Sequence, residues 1–414
     1  MALDFTLTSE QHELRLAARD FAGKVLSQVD PATRHLATPE ERWAATMPIY
    51  EQVISEGWLK KIIPAPAGGE GRSTVDFALV AEEFIAVDVN VSLTLFAVTL
   101  GLTPLLIAGS PEQVQQHLPR FLEPSGAPLA SFAFSEPGGS ANYDAPAPAD
   151  GVRTTAVLDG DEWVINGSKK WVSGSGGWDG RGPDLLAVVC RTDPTAPPDE
   201  GLSVILVPGP VDGLVLETSL DLLGHRAHQT PVISLHDVRV PRENVLGQPG
   251  GGAQIVAGSF TPTAALVGVF GLAKMRAAFE FALDFARTQT RGGLVPIVDH
   301  QAVGYALADA KGAMEAVRYL SWKACHALDA GSPAAAELAL HAKVFGSETA
   351  VRVVTDLMRV VGIESYSHEN PLAGILQDVL AYPLFDGGNM GVRRRQLHAM
   401  LRDPGYDPSA TFLS

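Results

Sequence analysis

The stretch PLFDGGNMGVRRRQLHAML, from Pro383 to Leu401, sets one carboxylate, Asp386, ahead of a Gly387-Gly388 turn and three consecutive arginines, Arg393, Arg394 and Arg395. A lone carboxylate beside cations can act as a proton acceptor. A carboxylate base must be ionised at its working pH, and a helix N-terminus or a neighbouring cation favours any carboxylate's charged form. The same stabilisation weakens a base, so its substrate needs an acidified C–H. A plainer use is equally compatible with these residues: a carboxylate ahead of glycines and a helix often caps the helix or closes the turn. Arg393 stands seven residues after Asp386. If helix ran back to the turn, two turns would place both on one face. Three arginines in a row cannot share a face, so Arg394 and Arg395 are expected at the surface or an interface.

Other polar residues are weaker signals. Thr263, in SFTPTAALVG, follows a proline at a helix start and could bond backbone or a partner side chain. Cys190 and Cys325 form no C-x-x-C pair, and His236 and His300 have no metal-like spacing, so reduced thiols and no metal centre are expected. No G-x-G-x-x-G follows a strand, so the Rossmann fingerprint is absent.

These residues need a scaffold. With 414 residues, 46% of them apolar, the chain can bury a large core. A net charge of −16 argues against a broad nucleic-acid footprint. The N-terminus lacks a secretory pattern and the apolar stretches read as too short or too broken to span a bilayer, so a cytoplasmic protein is expected. Residues 1–130 read as helical: Thr8 and Gln11 fit a capping box, with Leu14, Ala17, Phe21 and Val25 at helical spacing. From 131 to 246 the texture is β. Asp159-Gly160 and Asn166-Gly167 read as hairpin turns, further strands occupy DLLAVVCRTD, LSVILVPG and TPVISLHDVRVP, and Pro208 and Pro241 stop two of them. DAPAPADG and RTDPTAPPDEG read as short Pro-rich loops. From 247 to 414 three long amphipathic segments, and a fourth from Pro371, suggest an antiparallel four-helix bundle.

Helical, then β, then helical bundle is a distinctive order, and three motifs match it. SFAFSEPGGSANY (131–143), WVINGSKKWVSGSGG (163–177) and LHDVRVPRENVLG (235–247) resemble the acyl-CoA dehydrogenase superfamily. Within it, PLASFAFSEPGGSANY, SGSGGWDGRGPDLLAVVCR, TRGG and the Asp386 stretch resemble the nitroalkane oxidases. Ordinary dehydrogenases usually carry Tyr-Glu-Gly-Thr where this chain has Phe385-Asp386-Gly387-Gly388. The resemblance implies an α+β, three-domain acyl-CoA dehydrogenase-like fold: an N-terminal helical domain, a middle β-barrel or sandwich domain and a C-terminal four-helix bundle.

It also implies roles. Asp386 would be the base, with Arg393 and Thr263 holding it; Thr263 replaces a serine there. FAD would be the cofactor. Phe134, Ser135, Gly139 and Ser140 would surround its pyrimidine end, and Trp171 and Ser173 its ring and reactive edge. Gly388 would lie at the turn beside it. Arg291 and Gln301 would reach its pyrophosphate and adenine half across a subunit interface. Gly362 stands where dehydrogenases often have a Gly-Gly-x-Gly run, which is incomplete here. Trp171 could equally be hydrophobic filling, and Arg291 a helix-end charge. The implied reaction is abstraction of the α-proton of a nitroalkane, carbanion addition to flavin N5, release of nitrite, and an aldehyde or ketone as product. Dioxygen would take the electrons and leave as hydrogen peroxide. Neither nucleic acid nor a membrane is an expected partner. Alternatives are an acyl-thioester dehydrogenase, a flavin monooxygenase on the same fold, or a flavin-bearing binding protein with Arg393 to Arg395 as an anion patch. An even homo-oligomer, a dimer of dimers (homotetramer), is expected, because the 333–362 helix carries Leu338, Leu340, Val344, Phe345, Val351 and Val354 around much of its circumference.

Overall fold

The computed structural model describes residues 6–144 and 151–412; most of the Pro-rich DAPAPADG segment lies outside the described residues. Helices occupy the chain up to Leu122, strands run from Ala130 to Pro241, and helices return from Gly252. The first helix, Ser9–Lys24, carries the expected capping box: Thr8 Oγ1 accepts the Gln11 amide at 3.2 Å and the Gln11 side chain accepts the Thr8 amide at 3.1 Å. Its buried stripe differs from the expected one. Ala18, Phe21 and Ala22 are buried, Leu14 and Val25 partly so, and Ala17 faces solvent.

Among the described residues, seven strands form one connected sheet: β1 (Ala130–Ala133), β2 (Thr155–Asp159), β3 (Glu162–Lys170), β4 (Leu185–Arg191), β5 (Leu202–Pro208), β6 (Leu214–Ser219) and β7 (Pro231–Pro241). The order is β1-β4-β2-β3-β7-β6, with β5 also paired to β4. β4 reads as a continuous apolar run because it is buried on both sides. Leu185, Ala187 and Val189 join the core shared with the helices, while Leu186, Val188 and Cys190 fill a second core on the opposite face. Asp159-Gly160 does turn the β2–β3 hairpin, with Asp159 opposite Glu162. Asn166-Gly167 does not turn. It is a bulge inside β3, where the pairing with β7 shifts between Ile165 and Gly167. A Cβ on Gly167 would lie 2.6 Å from Thr154 Oγ1, and the Asn166 amide pairs instead with Asp237 on β7. A hairpin dipeptide within a strand thus serves close approach rather than reversal.

Three long helices, Gly252–Thr288, Gln301–Asp329 and Ala335–Val361, pack together, and the shorter Pro371–Val379 adds the fourth segment. The Thr74–Val87 helix packs against the first two and makes one core with them. Two expectations need correction here. The Asn90–Ala108 and Gly252–Thr288 helices are in fact long and apolar enough to cross a membrane, with mean hydropathy 2.1 and 1.7. More than half of each apolar window is buried inside the fold, at 56% and 67%, which is how core helices of this composition sit. The apolar circumference of the Ala335–Val361 helix is also mostly covered within the chain: Leu338, Leu340 and Val354 are buried, and of the six residues only Phe345 is exposed.

Candidate active site

Asp386 sits in a left-handed turn, with φ 52° at Asp386 and 68° at Gly387. The chain then enters a π-helical turn, Asn389–Arg393, before the Arg394–Arg402 helix. The two-turn helical spacing expected for Asp386 and Arg393 is therefore not what joins them. The reversal does so, by folding Arg393 back beneath the turn. Arg393 Nε donates to the Asp386 backbone carbonyl at 2.8 Å, and Nη2 to Asp386 Oδ2 at 2.9 Å. Glycine is required at 387, because a Cβ there would lie 2.9 Å from Arg393 Nε. Gly388 opens the π-helical turn through its carbonyl, which accepts the Val392 amide at 3.0 Å. On the other side, Thr263 Oγ1 donates to Asp386 Oδ1 at 2.7 Å. The ion pair is shielded from water, its side chains 4% and 6% exposed. These side-chain partners answer the capping question: the Asp386 carboxylate meets a hydroxyl and a guanidinium, and the N-cap position of the last helix is taken by Arg393. Arg394 forks onto Glu348, and Arg395 reaches Asn142 and Asp144. All three arginines are paired with acids, which leaves less positive charge free for the anion-patch alternative.

Beneath the turn lies Lys343, a fully buried lysine that sequence reasoning missed. Its ammonium donates to the Tyr382 carbonyl at 3.0 Å and to Asn389 Oδ1 at 2.7 Å, fastening the base loop on both flanks. The Asn389 amide continues to Ser347 and Glu348, each at 3.0 Å. Burial lowers the Lys343 ammonium to about 8, with Asp386 opposing that shift and Arg393 adding to it. The sequence did hold a clue. Lys343 stands at stripe spacing with the buried Ala339, Gly346 and Ala350, where a charge is unexpected.

The second motif meets the base through Phe260. Its carbonyl lies 3.0 Å from Thr263 Oγ1, whose one proton goes to the nearer Asp386, and accepts from Arg393 Nη2 at 3.4 Å; its ring packs on Phe132 and Phe134 at 5.4 and 5.6 Å. Beyond Phe134 the chain turns at Gly139, φ 89°, and brings Ser135 Oγ to 3.3 Å from Ser140 Oγ. The Glu136 carboxylate is buried. It takes the Arg153 and Thr154 amides, the Thr154 hydroxyl and the Lys169 ammonium. Burial raises the Glu136 carboxyl, but Lys169 and the hydrogen bonds outweigh it and bring it below its ordinary value. This pair ties the Ser135 loop to β3 and, through the Val189 carbonyl, to β4. The end of β3 delivers Trp171, with φ 69° and 53% exposed as a residue, then Ser173, whose Oγ lies 2.9 Å from His228 Nε2.

The flavin expected from the resemblance fits these residues. A half-exposed indole at Trp171, with the Lys170 ammonium 4.8 Å over its ring, the Ser135 and Ser173 hydroxyls, and glycines 138 and 139 with free space at their Cβ positions suit a flat, hydrogen-bonding ring. Arg291 and Gly362 form a separate pair. Arg291 pairs with Glu364, and a Cβ on Gly362 would lie 4.0 Å from Arg291 Nη2. Gln301 starts the next helix with an exposed side chain. Among the described residues, no hydrogen bond or ion pair of Arg291, Gly362 or Gln301 reaches the Ser135 and Ser173 loops within one chain.

Comparison with known proteins accords with this geometry. Family models match in chain order: acyl-CoA dehydrogenase N-terminal domain over 8–124, middle domain over 131–238 and C-terminal domain over 250–401. A nitroalkane oxidase of Podospora anserina is 41% identical, covering 98% of each chain. A nitroalkane oxidase of Fusarium oxysporum is 37% identical over 99% of this chain and 97% of its own. Among solved structures, an active-site mutant of nitroalkane oxidase crystallised with 1-nitrooctane superposes with a TM-score of 0.95 at 36% identity over 99% of both chains. This chain belongs to the acyl-CoA dehydrogenase family, and within it to the group that holds the nitroalkane oxidases.

Proposed function

We propose that the protein is an FAD-dependent nitroalkane oxidase in which Asp386 is the base. The observation that carries this reading is the clamp on Asp386: a short carboxylate fixed by Thr263 at 2.7 Å and Arg393 at 2.9 Å in a site closed to water. Each carboxylate oxygen gives one lone pair to its protein partner and keeps another. A substrate α-C–H can therefore approach without breaking the clamp. The Arg393 cation offsets the cost of burying the carboxylate's charge. When the proton moves to Asp386, the negative charge passes to the substrate while Arg393 stays beside it. Net charge in the pocket is unchanged, and the preset dipoles need not reorganise. General-base assistance of this kind is worth roughly 10²–10⁴ in rate. FAD, when bound, supplies the electron acceptor. Trp171, Ser173, Ser135 and the Phe134–Ser140 loop would hold its ring, and Gly388 would border it. One nitroalkane, one dioxygen and one water then give an aldehyde or ketone, nitrite with its proton, and hydrogen peroxide.

Dioxygen as acceptor, a cytoplasmic location and an even homo-oligomer are parts of the same proposal. Two free, buried cysteines suit a reducing compartment. Leu294, Ile363 and Tyr366 expose most of their apolar surface next to the Arg291–Glu364 pair, where a second subunit would cover them and bring FAD's pyrophosphate half to Arg291 and Gln301. The test mixes the yellow holoenzyme with nitroethane or a longer nitroalkane in air and measures nitrite and peroxide, with an acyl-CoA and an artificial acceptor in parallel. Equimolar nitrite and peroxide support the reading. Turnover of the thioester alone would replace it with a dehydrogenase.

A further inference from the structure

Ser173 is joined to a buried chain of polar groups that the reaction as written does not use. Its Oγ lies 2.9 Å from His228 Nε2, and His228 Nδ1 lies 3.2 Å from Thr94 Oγ1. Thr94 Oγ1 in turn donates to the Asn90 carbonyl at 3.0 Å, one turn back on the Asn90–Ala108 helix. His228 and Thr94 are 6% and 2% exposed. The imidazole is fixed from several sides. The Ala227 amide donates to the Asn90 side chain at 2.9 Å, the His228 amide to the His225 carbonyl at 2.9 Å, and Trp43 meets the ring edge-on at 6.2 Å.

The direction of the chain follows from proton counting. The Thr94 hydroxyl has one proton, and the nearer acceptor is the Asn90 carbonyl, so towards His228 it offers a lone pair. Burial, with His225 adding, lowers His228 to about 3, so the ring is neutral and carries a single N–H. With the Thr94 proton on the Asn90 carbonyl, that N–H faces Thr94, which leaves Nε2 as an acceptor. Ser173 then spends its only proton on His228. Towards the cleft it presents lone pairs alone.

We infer that His228 is a positioning residue that turns Ser173 into a hydrogen-bond acceptor at the flavin's reactive edge, so that the site favours the reduced ring, whose N5 carries a proton, over the oxidised ring, whose N5 does not. This rests on the placement of Ser173 at that edge given under Proposed function. The tautomer of one buried histidine would thereby bias the flavin's redox equilibrium from outside its contact layer.

Two readouts other than turnover test it. In holoenzyme labelled with ¹⁵N-histidine, His228 should show a protonated Nδ1 and a bare Nε2; the opposite tautomer overturns the inference. The flavin midpoint potential is then measured for wild type, His228→Phe, His228→Gln and Ser173→Ala. With phenylalanine, Ser173 is free to donate into the cleft. Preference for reduced over oxidised flavin should fall about tenfold, the worth of roughly one hydrogen bond, or ~30 mV for a two-electron couple. Glutamine can offer an oxygen to Ser173 and an N–H to Thr94, and should restore most of the shift. A potential that moves in Ser173→Ala but not in His228→Phe refutes the role of His228 and leaves the flavin placement standing. If neither variant moves it, Ser173 does not face the flavin edge, and both readings fall.

Discussion

Gly387→Ala puts the base clamp under the most specific strain. The substitution adds one methyl group and alters neither Asp386 nor Arg393. At φ 68° a residue with a side chain costs ~1–2 kcal/mol, since Cβ crowds the following carbonyl. The new Cβ would also lie 2.9 Å from Arg393 Nε and 3.1 Å from its Cζ, so the guanidinium has to move. It cannot move without loosening the 2.8 and 2.9 Å bonds to Asp386. A hydrogen bond to a charged group is worth ~1.5–3 kcal/mol, so the total cost is about 2.5–5 kcal/mol, divided between stability and rate. Displacing a reacting group by about 1 Å costs on the order of 10²-fold in rate. The assay compares kcat/KM on a neutral nitroalkane with kcat/KM on its pre-ionised nitronate, alongside thermal unfolding with FAD bound. The neutral substrate should lose ~10²-fold and the nitronate far less, because it needs no base. Unchanged kcat/KM on the neutral substrate with unchanged melting would refute the reasoning that Gly387 exists to admit Arg393.

Thr263→Ala should lower kcat/KM on the neutral substrate by about 10- to 100-fold, the value of a hydrogen bond to a charged acceptor, and Thr263→Ser should restore it. Lys343→Met should change the pH dependence of stability. The folded-state value near 8 lies below the ordinary 10.5, so between those limits the unfolded chain binds more protons. Wild-type stability should therefore gain with rising pH across that window, by up to ~1.4 kcal/mol per unit, a gain that the variant lacks in denaturant titrations. Burial pushes the Cys190 thiol up to about 12 and raises Cys325 further still, so neither should react with a thiol reagent near neutral pH until the protein is unfolded.

The order of elements was legible because each segment's periodicity agrees with its place: capped helices, a β block and long amphipathic helices. What sequence alone mistook is also physically specific. Asn166-Gly167 has hairpin chemistry, but the neighbouring Thr154 requires a glycine in mid-strand, and no local pattern distinguishes a bulge from a turn. Asp386 and Arg393 are legible as a pair, yet helical periodicity gives the wrong reason for their contact. A left-handed turn followed by a π-helical turn depends on tertiary packing, including Lys343 from a helix some forty residues away. His228 was illegible for the same cause. Its partners Thr94 and Ser173 lie 134 and 55 positions off in sequence. A buried lysine on an apolar stripe was a visible sign of such long-range wiring.

Asp386→Asn tests the central claim most directly. Asparagine keeps the side chain's size and can still accept from Arg393 through its carbonyl oxygen, with its amide turned to the Thr263 hydroxyl, but it cannot accept the substrate's proton. The measurement is nitrite release by the FAD-loaded variant from a neutral nitroalkane and, separately, from the same compound supplied as its nitronate. The account predicts that turnover of the neutral form is lost by roughly the 10²–10⁴ attributed to a general base, while the nitronate is still consumed at a rate near wild type. Equal loss on both substrates, with flavin content intact, would make Asp386 a structural residue and contradict the account.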